Sequence, residues 1–186
     1  EESFFASFWT ALGQEYNLDP THIARLIDRP YTDFVLAYPD AAPLLAALRA
    51  HGVRIGVLSN FSLFSLDESL ASTGLAAYVD VAHAATIRGH AKPQDAAYLS
   101  IAQALAVSPA ACLFIDDEMP CVAGAAATGM RAIWLDRTRV QTSGTTDSVA
   151  HSPTDFQTAW ADGVLADLVE VDALLEAIGR GGKKAQ

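Results

Sequence analysis

The chain has 186 residues, of which 51% are hydrophobic and 18% are charged, a composition typical of a globular protein of about one domain. Its formal net charge of −10 opposes binding to nucleic acid or to an anionic membrane through the overall field. The two cysteines, Cys112 and Cys121, lack the spacing of a disulfide framework or a zinc site, and no apolar stretch is long enough to span a bilayer. Composition therefore predicts a cytoplasmic protein with neither nucleic acid nor membrane as a partner.

The first fifty residues predict three helices. Residues 3–16 place aromatic side chains at helical spacing, which indicates either the buried face of an amphipathic helix or a contact within a homodimer; these are Phe4, Phe5, Phe8 and Trp9. Asp19 followed by Pro20 has the pattern of a helix start. A third helix is predicted at about 40–50, ending before Gly52.

From residue 53 onward, apolar runs alternate with helical patterns. Strands are predicted at 53–58, 78–82, 112–115 and 131–135, with helices at about 63–73, 94–106 and 120–128. This alternation predicts an α/β fold with a doubly wound parallel sheet. The 53–58 run is continuous, as in a strand buried on both faces. Residues 137–160 lack periodicity and indicate a loop, followed by a strand at 164–171 and a closing helix at 172–178.

Three dipeptides with polar side chains lie where predicted strands and loops meet. They are Ser59-Asn60, Lys92-Pro93, in which only the lysine is polar, and Asp116-Asp117. Ligands of such sheets bind beyond the carboxyl ends of the strands. A hydroxyl and an ammonium there suit anionic phosphate oxygens, and paired carboxylates suit Mg²⁺. Each pair also has a simpler explanation, since Ser and Asn favour turns, proline favours the first turn of a helix, and Asp caps helices.

Three further side chains near these pairs admit two interpretations. His83 and His90 fall in the loop predicted before Lys92, where a histidine touches substrate or is simply solvated. Cys121 near a helix start is either a reactive thiol or a small packed residue. The sequence leaves both questions open.

Taken together, the segments IGVLSN, AKP and LFIDDEMPCVAGA resemble the second, third and fourth motifs of the haloacid dehalogenase superfamily. The resemblance runs from about Tyr38 to Arg137. It implies a Rossmann-like core at 38–180, preceded by a small helical cap at 1–37. The composition of the last residues separately predicts a mobile tail at 181–186. The acidic pair favours a phosphatase over a dehalogenase, because dehalogenation needs no metal.

The resemblance also implies a role for each site residue. Ser59 would hydrogen-bond the transferring phosphoryl group of a small phosphate ester, and Asn60 would help to shape the site. Lys92 would neutralise the nucleophile and the phosphate. Asp117 would ligate Mg²⁺, with Asp116 as a second ligand or a partner of the ligands. Cys121 stands where the family often has Asn or Asp.

The first motif of the family, a strand followed by Asp-x-Asp, does not occur in these 186 residues. Its aspartates supply the nucleophile and the general acid, and the adjacent Asp116 and Asp117 cannot replace two residues of that spacing. The sequence opens on Glu1 and Glu2, without an initiator Met. Two hypotheses follow: a Mg²⁺-dependent phosphatase whose nucleophile segment lies upstream of Glu1, or a catalytically inactive binding or assembly module that has lost its first strand.

Overall fold

The computed structural model describes residues 2–61, 63–137 and 163–165. Its seven helices in this part of the chain are α1 (Glu2–Glu15), α2 (Pro20–Ile27), α3 (Ala41–Ala50), α4 (Leu63–Ser72), α5 (Ala85–Arg88), α6 (Asp95–Ala104) and α7 (Met119–Ala127). The strands are β1 (Gly56–Ser59), β2 (Val81–Ala84), β3 (Leu113–Asp116), β4 (Arg131–Leu135) and β5 (Gly163–Leu165). Every strand pair is parallel. The predicted α/β fold is confirmed.

Among the described residues the strands form two sheets, ordered β1–β2 and β3–β4–β5. In this part of the chain β1 and β3 therefore each have a strand neighbour on one side only. The prediction that the 53–58 run is buried on both faces is wrong, because Val57 and Leu58 are only partly buried. A parallel strand needs neighbours and covering helices on all sides to be fully buried.

The first strand also begins three residues later than predicted. The side chain of Asp80 accepts a hydrogen bond from the Ile55 backbone N–H at 2.7 Å. The Ile55 carbonyl in turn accepts from the backbone N–H groups of Asp80 and Val81 at 2.8 and 3.3 Å. The Ile55 N–H, which would otherwise bond a backbone carbonyl of the neighbouring strand, is thus bound by a carboxylate. Regular pairing between the strands starts at Gly56.

Two clusters of buried side chains hold the layers together. One lies between α6, α7 and β4 and is built around Tyr98 and Val122, both fully buried. The other joins α3 to both sheets, with Leu44, Leu48, Ile55 and Ile133 in contact. Because Ile55 precedes β1 and Ile133 lies on β4, this second cluster packs the two sheets into a common core.

The N-terminal helices are more exposed than the sequence predicts. Asp19 caps α2, its carboxylate accepting from the Thr21 backbone N–H at 2.8 Å, so that predicted helix start is confirmed. The expected burial of the aromatic stripe is wrong for Phe4 and Phe8, whose exposed fractions are 65% and 45%. In the described residues α1 packs mainly on α2, and two short helices cannot cover a stripe of this width.

The division into a cap at 1–37 and a core at 38–180 stays a prediction. The predicted loop at 137–160, the helix at 172–178 and the tail lie outside the described residues, apart from Arg137, and of the last predicted strand only 164–165 are described, within β5. No described helix combines the length and apolarity that crossing a membrane requires.

Candidate active site

Lys92 and Asp116 form a nearly buried ion pair at the carboxyl end of β3. The Lys92 Nζ atom lies 2.6 Å from Asp116 Oδ2, and the two side chains are 12% and 7% exposed. The ammonium also lies 5.8 Å from the centre of the Phe114 ring. A short, charge-assisted hydrogen bond in a shielded position is stronger than one at the surface. Lys92 keeps two further N–H donors that contact no acceptor among the described residues.

The backbone of Lys92 is held by the residue that follows β1. Asn60 Oδ1 accepts from the Lys92 N–H at 2.8 Å, and Asn60 Nδ2 donates to the Lys92 carbonyl at 3.1 Å. Both polar groups of one peptide unit are thus bound by a single amide. Since Lys92 reaches from Asn60 to Asp116, it links the carboxyl ends of β1 and β3.

Ser59 is the last residue of β1 and keeps its hydroxyl hydrogen available. Its Oγ accepts from the Phe61 backbone N–H at 3.1 Å, and within the described chain it donates to nothing. A hydroxyl that accepts one hydrogen bond can still donate its own proton. The contact with Phe61 shows the turn that the residue types favour, and this turn leaves the hydroxyl proton of Ser59 free to donate.

Three acidic residues stand at the end of β3, and hydrogen bonds hold the carboxylates of two of them, Asp116 and Glu118. Asp116 Oδ1 accepts from the Glu118 backbone N–H at 2.9 Å, and Glu118 accepts from the Cys121 thiol at 3.1 Å. Asp117 is exposed, and its carbonyl accepts from the Trp134 indole at 3.0 Å, while no described residue donates to its carboxylate. No side chain caps α7, whose N-cap residue is Glu118.

Asp116, Glu118 and Cys121 bring their potential ligand atoms within 4.8 Å of one another. The carboxylates are oxygen donors of the kind that Mg²⁺ takes. The thiol is not, because burial and its hydrogen bond to Glu118 raise the pKa of Cys121 to about 12, so that it stays protonated near neutrality. The carboxylates of Asp116 and Glu118 are therefore the part of this cluster that fits Mg²⁺, and Cys121 acts as a packed side chain that bonds Glu118. The Asp117 carboxylate is exposed and does not belong to the cluster.

The loop that carries Lys92 is closely packed from below. The hydroxyl of Tyr98, a residue with no exposed surface, donates to the Cys121 carbonyl at 2.7 Å. Its ring meets Phe114 edge to face at 5.2 Å. Gly124 lies so close that an added Cβ would stand 2.7 Å from the Pro93 carbonyl oxygen. α6 and α7 therefore fix Pro93, and with it the residue before it.

The structure brings together Asn60, Lys92 and Asp116, and it places Ser59 and Asp117 directly beside them in the chain. Sequence reasoning missed Glu118, although an acidic residue two positions after Asp116 was a readable signal. It also misplaced His83, which lies on β2 and is 3% exposed instead of lying in a loop. The His90 side chain is exposed.

This arrangement belongs to a known class of protein. Residues 2–129 match the family described as haloacid dehalogenase-like hydrolase, and the chain belongs to that family. Over 175 residues it is 37% identical to "Phosphatase MT3486" of Mycobacterium tuberculosis (strain CDC 1551 / Oshkosh), an alignment that covers 94% of this chain and 72% of the relative.

Solved structures show the same fold. The chain matches a HAD phosphatase from Thermococcus onnurineus with a TM-score of 0.64 and 24% identity, covering 94% of this chain and 79% of that one. It matches the L-2-haloacid dehalogenase from Xanthobacter autotrophicus with a TM-score of 0.65 and 23% identity, covering 93% and 76%. At this level of identity the two structures inform the fold alone.

Proposed function

We propose that this chain forms the phosphate-binding and metal-binding part of a Mg²⁺-dependent phosphatase that acts on a phosphorylated small molecule. The observation that carries the proposal is the Lys92 ammonium, held at 2.6 Å from Asp116 with two N–H donors left over. The 37% identity to a protein named as a phosphatase supports the same reaction class.

Ser59 and Lys92 would act on the phosphoryl group itself. The Ser59 hydroxyl, whose oxygen accepts from the Phe61 N–H, would donate its proton to one phosphoryl oxygen. The free N–H groups of Lys92 would donate to another oxygen and to the attacking carboxylate. Donors fixed before the reaction stabilise the charge of the transition state without reorganisation, which is the largest contribution in many enzymes.

The nucleophile in this proposal is an aspartate on a further strand, since the 186 residues contain no Asp-x-Asp. β1 and β3 each have one edge without a strand partner among the described residues, and Lys92 links their carboxyl ends. These two features support a strand between them. Its carboxylate would attack phosphorus, the bond to the ester oxygen would break, and the second aspartate would give that oxygen a proton. Water would then release phosphate and restore the carboxylate.

Asp116, Asp117 and Glu118 would hold the metal ion. Bound there, Mg²⁺ would supply charge that offsets the phosphate oxygens. Asp116 would contribute Oδ1 or share its Oδ2 atom with Lys92, and Asp117, whose carboxylate has no donor among the described residues, would bind without losing an existing contact.

The proposal is tested with the full-length protein, in which these 186 residues are joined to the strand that carries the nucleophile, by measuring phosphate release from a panel of phosphate monoesters with Mg²⁺ and with excess EDTA. We expect release that EDTA abolishes. Lys92→Gln should lower kcat about a hundredfold to a thousandfold, the usual effect of removing one fixed donor to the transition state. Arg25→Gln, at an exposed position of α2, is the control that keeps full activity. An unchanged rate of phosphate release in Lys92→Gln would refute the role assigned to Lys92.

The second candidate is a catalytically inactive binding or assembly module, favoured by the edges of β1 and β3 that have no strand partner among the described residues. A partner strand would cover those edges, because exposed edges pair readily with other chains. This candidate predicts no phosphate release under any metal condition, together with a stable complex that leaves both edge strands protected from hydrogen exchange.

A further inference from the structure

His83 is a buried histidine that the proposed reaction does not use. It lies on β2 beside Leu58 of β1 and is 3% exposed. Its Nδ1 atom is 3.2 Å from Ser100 Oγ on α6, and its Nε2 atom is 3.0 Å from Arg88 Nη2 at the end of α5. Both ring nitrogens are therefore occupied.

The surrounding hydrogen bonds determine which nitrogen carries the proton. The Ser100 hydroxyl donates to the Ala97 carbonyl at 2.8 Å, so it can only accept from His83, and Nδ1 is the donor. Arg88 has no lone pair to offer, so Nε2 must accept from it. The network is complete only when His83 is neutral, and a proton on Nε2 would face the guanidinium directly.

The two partners of His83 stand on either side of the loop that carries Lys92. Arg88 precedes it, followed by Gly89, whose backbone φ of +72° ends α5. Ser100 follows it, in the second turn of α6. One imidazole thus bonds the residue just before the 89–94 segment and a residue of the helix that follows it, while Asn60 bonds the Lys92 backbone within the segment.

No described carboxylate compensates a charge on His83. The elements packed against β2 are β1, α4, α5 and α6, and their charged or titratable side chains are Asp67, Glu68, Arg88, Asp95 and Tyr98. Of these only Arg88 bonds the imidazole. Arg88 makes no other hydrogen bond within the described chain, so its position depends on His83.

We propose that His83 is a pH-dependent latch that positions the Lys92 loop: neutral His83 holds Arg88 and Ser100 together across it, and protonation releases Arg88 and loosens the loop. His83 is a positioning residue, since it touches neither Lys92 Nζ nor Asp116. The inference rests on the proposed function only in the role that it gives to Lys92. The latch itself is defined by the hydrogen bonds of His83, which do not depend on that role.

The direction of the effect follows from the same contacts. Burial, and then the neighbouring Arg88 charge, lower the pKa of His83 below its usual range. A histidine whose pKa is lowered by folding stabilises the fold fully above about pH 6.5, and this contribution is lost as the pH falls from there toward the folded-state pKa. The latch is therefore closed while His83 is neutral and opens as the pH falls through the lowered pKa of His83.

Amide hydrogen exchange of the purified protein tests this without any turnover. We expect the protection of the Lys92 amide, corrected for intrinsic exchange, to be constant near pH 7.5. Below the His83 pKa it should fall, by at most about tenfold per pH unit, the limit for one coupled proton. His83→Gln, which cannot be protonated in this range, should make the profile flat. His90→Gln, an exposed histidine of the same loop, should behave like the natural protein.

A second variant, Arg88→Met, tests the proposal independently in case His83→Gln does not fold. Arg88→Met removes the guanidinium from an exposed residue, so the pKa of His83, followed by its imidazole NMR signals, should rise while the Lys92 amide becomes poorly protected at every pH. A purely structural role of Arg88 would leave the pKa of His83 unchanged. The proposal would be overturned by a flat profile in the natural protein across the pH range in which the imidazole NMR signals show that His83 takes up a proton, or by an unchanged fall in His83→Gln. Loss of phosphatase activity alone would bear only on the proposed function.

Discussion

Arg137 and Asp40 stand 97 residues apart in the chain and are joined by two hydrogen bonds of 2.9 and 3.2 Å. The guanidinium also lies over the Tyr38 ring, 3.9 Å from its centre. The pair ties the segment just before α3 to the residues just after β4. Because the side chains are only 24% and 9% exposed, this contact is shielded more than an ordinary surface ion pair.

We therefore expect Arg137→Lys to destabilise the protein by about 1–3 kcal/mol, since lysine cannot form a two-pronged bond to the carboxylate or stack on the ring. Urea unfolding at pH 7 measures the change. Arg29→Lys is the matched control, because its contact with Asp33 is exposed and 3.7 Å long, and such pairs contribute little. Equal effects of the two substitutions would contradict the assigned role.

Asn60→Asp tests the grip on the Lys92 backbone. The substitution keeps the size of the side chain but replaces the Nδ2 donor with an oxygen that faces the Lys92 carbonyl. We expect kcat to fall about tenfold or more, as when a positioned group is misplaced by an ångström, with the unfolding free energy reduced by about 1–3 kcal/mol. Asn17→Asp, at an exposed position, is the control and should change neither kcat nor the unfolding free energy. If Asn60→Asp also changed neither, contacts other than those of Asn60 would hold the Lys92 loop.

Gly124→Ala tests the packing beneath Pro93. Its Cβ would meet the Pro93 carbonyl oxygen at 2.7 Å and the Tyr98 hydroxyl at 2.9 Å, and backbone atoms cannot give way as a flexible side chain can. Overpacking of this kind should lower the melting temperature, at a cost of about 1–3 kcal/mol, and weaken turnover with it. Ala127→Ser adds one atom at an exposed position of the same helix and should do neither.

The Cys121 thiol should be nearly inert toward alkylation in the folded protein. With its pKa raised from 9.0 to about 12, the thiolate fraction at pH 8 is about a thousandfold below that of an unperturbed cysteine. Mass spectrometry after iodoacetamide treatment should find Cys121 modified only once urea unfolds the chain. Because the pKa is raised by folding, this thiol also favours the folded state below pH 9 and less so above it. Rapid labelling in the native state would contradict this.

The sequence predicted where most elements lie and which polar residues follow them. The positions of Ser59 and Asp116 were readable because apolar runs end beside them, and parallel strands place such ends at one edge. Lys92 follows no apolar run and was readable from the resemblance of AKP to the third motif of the family. The start of β1 was not readable, since the contact between Asp80 and Ile55 that delays it joins residues 25 positions apart. Periodicity describes local patterns and carries no information about such a contact.

The environment of His83 was equally hidden. The short strand Val81–Ala84 and the four-residue helix after it fall below the length at which hydrophobic patterns separate strand from loop. The predicted burial of Phe4 and Phe8 was wrong for a different reason. Helical spacing predicts which side chains share a face, but not whether another element covers that face.

Within the described part of the chain, β1 and β3 each leave one edge without a strand partner, and this bears on how the chain behaves in solution. Unpaired N–H and C=O groups along an edge strand template contacts between copies, whereas a formal net charge of −10 keeps copies apart by repulsion. The range of that repulsion shrinks to about 8 Å at physiological ionic strength. For the chain taken alone, added salt should therefore promote self-association rather than suppress it, and dilute buffer is the condition that favours single molecules.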